Sequence, residues 1–147
     1  MQTIYHDVEL HHVMAAQAAS DTGTVNSDAI ATGDCDGVAF LVTLGAMVSG
    51  SNVSAKLTGR LVAGTGSWVD VPDAAAAFES DGTDDVEMLI ELRRPNPWAE
   101  VRCEITRADQ NATIDAVTAL KYKPASRPVS QPAEMAAKAY VLGGAPA

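Results

Sequence analysis

Two turns in this 147-residue sequence gather most of the side chains that could do chemistry: Asp34-Cys35-Asp36-Gly37 and Ser80-Asp81-Gly82-Thr83-Asp84-Asp85. Carboxylates at alternate positions beside a glycine are how a calcium loop begins, because the ion needs several oxygen ligands converging on one point. Neither turn supplies the third acid and the closing Glu of an EF-hand, and acid-glycine turns are also the ordinary way a β-protein reverses direction. The three histidines, His6, His11 and His12, share one short segment. In an extended chain His11 points away from the other two, and no acid or Cys stands at a metal-ligand spacing, so they read as edge histidines exposed to solvent. No Ser/His/Asp set, phosphate loop or paired-acid site is identifiable. The expectation is a non-enzymatic chain with no cofactor.

Charge and composition narrow the class. The formal net charge of −9 argues against a nucleic-acid groove, since phosphate binding relies on clustered Lys and Arg. Hydrophobic residues make up 47% of the chain but aromatics only 5%, a composition suited to short strands joined by polar turns. No apolar run approaches the length of a membrane span, and the first ten residues lack a basic region followed by an apolar one, so a soluble, unexported chain is expected. Cys35 and Cys103 lie in unrelated contexts and read as reduced thiols. One domain of this length buries roughly two thirds of the surface of its unfolded chain, enough without a metal or disulfide.

The elements follow from period-two patterning. Residues 33–50 are the most apolar stretch, with Val38, Phe40, Val42, Leu44, Ala46 and Val48 on one parity and Ala39, Leu41, Thr43, Gly45 and Met47 on the other. Neither face is built for water, so this is the expected central strand. Residues 53–62 and 86–92 alternate apolar with polar as half-buried antiparallel strands do. So do residues 98–106, with Ala99, Val101, Cys103 and Ile105 inward, and the last two segments read as a hairpin about Arg94-Pro95-Asn96-Pro97. Residues 5–14 pattern as an edge strand, Ala15 to Gly23 as a loop, 24–30 as a weak strand or extended connection, and 113–122 as the last strand. Trp68 to Pro72 reads as a short strand stopped by proline, followed by a brief helix over Ala74 to Ala77 capped by Asp73. About seven strands at roughly 10-residue spacing, without helical crossovers, indicate an all-β antiparallel β-sandwich, jelly-roll or immunoglobulin-like, over residues 1–123. Residues 124–147 hold four of the seven prolines and no strand pattern, and read as an extended C-terminal arm with a weak helix at 134–140.

Surface chemistry then marks interface candidates. Arg93 and Arg94 are the one basic doublet outside the arm. Trp98 shares the outward parity of Glu100 and Arg102, whereas Trp68 reads as core. Leu41 and Met47, on the second apolar face of the central stretch, mark a surface for an arm or a second subunit to cover. In the arm the candidates are Arg127, Pro128, Val129 and Tyr140.

Several stretches together resemble the capsid decoration, or cement, proteins of tailed bacteriophages: Gly37-Val38-Ala39-Phe40-Leu41-Val42-Thr43-Leu44-Gly45, Ser67-Trp68-Val69-Asp70-Val71-Pro72, Leu92-Arg93-Arg94-Pro95 with Trp98-Ala99-Glu100-Val101-Arg102, and Ala119-Leu120-Lys121-Tyr122 leading to Arg127-Pro128-Val129. The resemblance spans residues 33–131 and carries no catalytic signature. It implies a structural virion protein on the capsid exterior, made in the bacterial host cytoplasm, bridging subunits of the major capsid protein and assembling with itself as a dimer or trimer. Neither nucleic acid nor membrane is an expected partner. A head-fibre base or tail component, and a carbohydrate- or host-binding sandwich module, are the alternatives. The last of these normally exposes a row of aromatics.

Overall fold

A computed structural model describes residues 3–123, 128–133, 135–137 and 139. One helical turn, α1 (Ile4–Asp7), precedes ten strands: β1 (Val8–Met14), β2 (Gln17–Ser20), β3 (Thr24–Asn26), β4 (Ile30–Ala31), β5 (Gly37–Met47), β6 (Asn52–Arg60), β7 (Val69–Glu79), β8 (Glu87–Arg93), β9 (Glu100–Ala108) and β10 (Ala112–Tyr122). They form two antiparallel sheets, the first in the order β1-β10-β5-β8 with β2 also on β10, the second in the order β3-β9-β6-β7 with β4 also on β9. The pairing is nested. β6 lies against β7, β5 against β8, β3 and β4 against β9, and β1 against β10, as if one long hairpin had been rolled over a core. The contacts β5–β10 and β6–β9 then close each sheet. That arrangement is a jelly roll, which settles the choice the sequence left open.

β5 is interior to its sheet, and one parity of it, Val38, Phe40, Val42 and Leu44, is wholly buried against Val53, Leu57, Val101 and Ile105 of the opposite sheet. Each such aliphatic or aromatic side chain contributes about 2 kcal/mol of transfer free energy. Cys103 sits in this core, and burial followed by the nearby charge of Glu104 pushes its thiol up to about 12. It and Cys35 are both free thiols.

Several sequence expectations are corrected. The parity of residues 33–50 does not run through to Val48. Leu44 faces Ile114 and Met47 faces Ala112, so three steps on β5 match two on β10, and this bulge turns Met47 into the core while Ala46 and Val48 are exposed. Residues 74–77 are strand, not helix. Ala75, Ala76 and Ala77 pair with Lys56, Ala55 and Ser54, and four alanines alone cannot offset the cost of nucleating a helix when a strand partner is at hand. Pro72 and Asp73 occupy the bulge between the two halves of β7, where pairing is interrupted, so the missing N–H of proline and the φ of 62° at Asp73 cost no ladder bond. The segments at 86–92 and 98–106 are not a hairpin: β8 pairs with β5, β9 pairs with β6, and residues 94–99 cross from one sheet to the other. Finally, the N-terminal strand begins only at Val8. Ile4 to Asp7 form a helical turn capped by Thr3, whose side-chain oxygen accepts from His6 N at 3.1 Å, and Gln17 to Ser20, expected as loop, extend the sheet along β10.

Candidate docking face

The two outer faces of the sandwich differ in kind. On the β3-β9-β6-β7 sheet the outward side chains include matched charges, beside a small uncharged row of Ala77, Ser54, Thr106 and Thr24. Lys56 Nζ lies 2.9 Å from Asp70 Oδ1 and 3.8 Å from Glu104 Oε1. Arg60 holds Glu100 through Nη2 at 2.6 Å and Nε at 2.7 Å. The guanidinium carbons of Arg60 and Arg102 stand 4.6 and 4.3 Å from the ring centroid of Trp68. Trp68 therefore belongs to this polar face, bracketed by two cations, and not to the core as expected.

The outer face of the β1-β10-β5-β8 sheet is apolar at its centre. Register places Leu10, Leu120, Ala39 and Glu91 in one row across the four strands, with His12, Thr118, Leu41 and Leu89 in the next. Leu41 and Leu120 are half-buried and Leu89 is 61% exposed. Between this surface and α1 lies an open groove of about 460 Å³, lined by Ile4, Val8, Ala39, Leu89, Leu120 and Tyr122 among others. At one end the Tyr122 ring covers Gly37, which leaves no room there for a Cβ, and its hydroxyl donates to Glu91 Oε1 at 2.5 Å. Desolvation, then that bond to a carboxylate, pushes the phenol up to about 12.

The described part of the arm closes one flank of this sheet. Gln131 spans it by accepting from Leu10 N at 3.0 Å while donating to Val8 O at 2.5 Å and Tyr5 O at 3.3 Å; Val129 N donates to His6 O at 2.9 Å. The free edge of β1 is thereby occupied.

The candidate residues of the sequence thus scatter. Leu41 lies on the apolar face. Met47 belongs to the core and cannot meet a partner. Trp98 is half-buried, its ring packed against the core and over Gly59, where no Cβ would fit, because the chain turns between sheets just before β9 and strand parity does not extend back to residue 98. Arg93 and Arg94 are exposed, at the start of the sheet-crossing connection and not at a hairpin tip. In the arm, Pro128 is exposed and Val129 half-buried, while Arg127 and Tyr140 lie outside the described residues, as does part of the 134–140 segment read as a weak helix. Val8, Leu10, Leu89 and Leu120, which the sequence analysis did not single out, complete the face; their shared row becomes visible only once strand order is known.

Three of the five acids in the two turns, Asp34, Asp81 and Asp84, have structural partners. Asp34 Oδ1 lies 2.5 Å from Lys121 Nζ, Asp81 Oδ1 accepts from Thr83 N and Oγ1 at 3.1 and 2.6 Å, and Asp84 Oδ1 accepts from Met47 N at 2.8 Å, fixing the β5 bulge. His11 Nε2 is 3.0 Å from Glu9 Oε2. Among the described residues no group of three or more His, Cys, Asp or Glu is arranged to hold a metal ion, and no helix is long and apolar enough to cross a membrane.

No family model matches the chain, and no curated protein matches it. Among solved structures it is similar to infectious bursal disease virus VP2 from a subviral particle, with 16% identity over 80% of this chain and 33% of that one and a TM-score of 0.49. It is similar also to a chain of the infectious bursal disease virus Gt strain, at 15% identity over 82% and 34% with a TM-score of 0.43, and to PirA, at 12% identity over 83% and 96% with a TM-score of 0.41. The chain spans about a third of the two virus chains it matches.

Proposed function

We propose that this chain is a non-enzymatic structural protein of a tailed-phage virion, which docks on the outside of the capsid shell and bridges subunits of the major capsid protein. The observation that carries the docking mode is the apolar outer face centred on Leu41, Leu89 and Leu120, on a sandwich whose opposite face is neutralised by its own ion pairs. A shell protein needs one surface that gains by leaving water and another that stays solvated, and contiguous apolar surface on an acidic chain marks the first. The resemblance of residues 33–131 to phage decoration proteins supplies the kind of shell. A carbohydrate-binding module is disfavoured because Trp68 already has guanidinium groups on its ring and offers sugars no open stacking platform.

The test is co-sedimentation with expanded phage shells followed by electron cryomicroscopy. Density over the whole lattice, with the β1-β10-β5-β8 face toward the shell, is expected. The Leu41→Lys/Leu120→Lys variant should stay folded and lose at least tenfold in affinity, since each buried leucine is worth about 2 kcal/mol. Density confined to one vertex would favour a fibre base or tail component, and full binding by the variant would remove the docking face.

A further inference from the structure

The β1-β10-β5-β8 sheet has two edges, and among the described residues only one is covered. Gln131 covers β1 at Val8 and Leu10, whereas among the described residues β8 pairs on one side alone, with β5. Leu44 N donates to Val86 O and Arg94 N to Asp36 O, which fixes the ladder: Met88, Ile90 and Leu92 turn their backbone groups toward β5, and Glu87, Leu89, Glu91 and Arg93 turn theirs away. Among the described residues no backbone hydrogen bond to another strand meets those four. β8 holds no proline or bulge, and its charges, Glu87, Glu91 and Arg93, are of both signs, while β7, on the same flank of the other sheet, has its bulge with Pro72 and Asp73.

We infer that β8 is the site of self-association, pairing antiparallel with β8 of a second copy about a two-fold axis at Ile90. The register follows from the residues. Opposed residues must lie on the same face and use the outward-turned backbone groups, which restricts the axis to Leu89, Ile90 or Glu91 near the strand centre. An axis at Leu89 sets Glu87 against Glu91 of the other copy, and an axis at Glu91 sets the two Glu91 side chains against each other. The axis at Ile90 instead sets Glu87 against Arg93 twice and Leu89 against Glu91, and on the inner face it brings Met88 beside Leu92, which is only half-buried in the single chain. Neither Glu87 nor Arg93 has an ion-pair partner among the described residues of its own chain. Cross-strand opposite charges stabilise an antiparallel pair and like charges destabilise it, so this register is the favoured one. Pairing joins two sheets into one and makes the two apolar outer faces continuous through Leu89. This proposal stands apart from the virion reading and holds for any function of the chain.

Analytical ultracentrifugation of the full chain should give a dimer of twice the 15.3 kDa chain mass. Arg93→Glu and Glu87→Arg, both at exposed positions, should each weaken association on the order of tenfold or more, while Glu87→Arg/Arg93→Glu restores it. Leu89→Pro, which removes only a donor turned away from β5, should also give monomers, with far-ultraviolet circular dichroism confirming the fold of every variant. A monomeric wild type, an oligomer unchanged by both single reversals, or a double variant that stays monomeric overturns the proposal.

Discussion

Lys121 and Arg107 are cations on inward-facing strand positions, and the two are held differently. Lys121 is buried with its ammonium 2.5 Å from Asp34 Oδ1, on the same parity as Val117 and Ala119. Arg107, on the parity of Val101, Cys103 and Ile105, donates from Nη1 to Ala18 O at 2.7 Å and Ala112 O at 2.9 Å, so backbone carbonyls of β2 and β10 hold that nitrogen, while its Nε is buried with no partner among the described residues. Removing one partner of a buried pair is worse than replacing both by apolar groups, because the orphaned charge keeps its desolvation penalty. Asp34→Ala should therefore lower stability by about 2 kcal/mol, less than a fully enclosed pair would lose because Asp34 is itself exposed. Asp34→Ala/Lys121→Met should recover most of that loss in urea denaturation; a double variant no better than the single would refute a burial penalty. Alternation did not mark Lys121 as inward: it puts Ile114, Ala116, Leu120 and Tyr122 on one face, and the register shifts around Ile114 turn Val117, Ala119 and Lys121 inward instead. What no sequence pattern carries is the neighbour: Asp34 reads as part of a turn, and its approach to Lys121 requires β5 and β10 to be paired.

At the level of elements, alternation located strands better than it located their partners. The segments at 53–62, 86–92, 98–106 and 113–122 all became strands within a few residues, because their apolar side chains face one core. Pairing is another matter, since β8 and β9 carry the same alternation and would serve equally well as hairpin or sheet-crossing neighbours. Bulges are the second blind spot. A single extra residue in β5 moves Met47 from the outer face to the core, and its cause, the bond from Met47 N to Asp84 Oδ1, lies 37 residues away. The alanine run of β7 failed for a related reason, its conformation being set by β6 and not by intrinsic propensity. The bulge makes a sharp prediction about adjacent residues. Ala46→Lys, at an exposed site, should change stability by less than about 0.5 kcal/mol, whereas Met47→Lys should cost more than about 3 kcal/mol or prevent folding. Thermal melts that ranked the two the other way would restore unbroken alternation through Val48.

For the whole molecule, the contrast between the two outer faces decides what force should hold it to a partner. The chain carries a net charge of −9, its charged face pairs internally, and the apolar face has few charges to offer. Docking through Leu41 and Leu120 should then respond to salt in the direction opposite to docking through Arg93 and Arg94. Raising salt from about 0.1 to about 1 M shortens the Debye length from about 10 Å to about 3 Å and weakens contacts between exposed charges, while apolar burial is left intact. Like-charge repulsion between copies crowded on one lattice is screened at the same time. Occupancy on shells should hold steady or rise with salt, and the Leu41→Lys/Leu120→Lys variant should bind poorly at both concentrations. A steep fall in occupancy with salt would transfer the docking role to the arginine doublet and the exposed connection that carries it, leaving the apolar face free for contacts between copies.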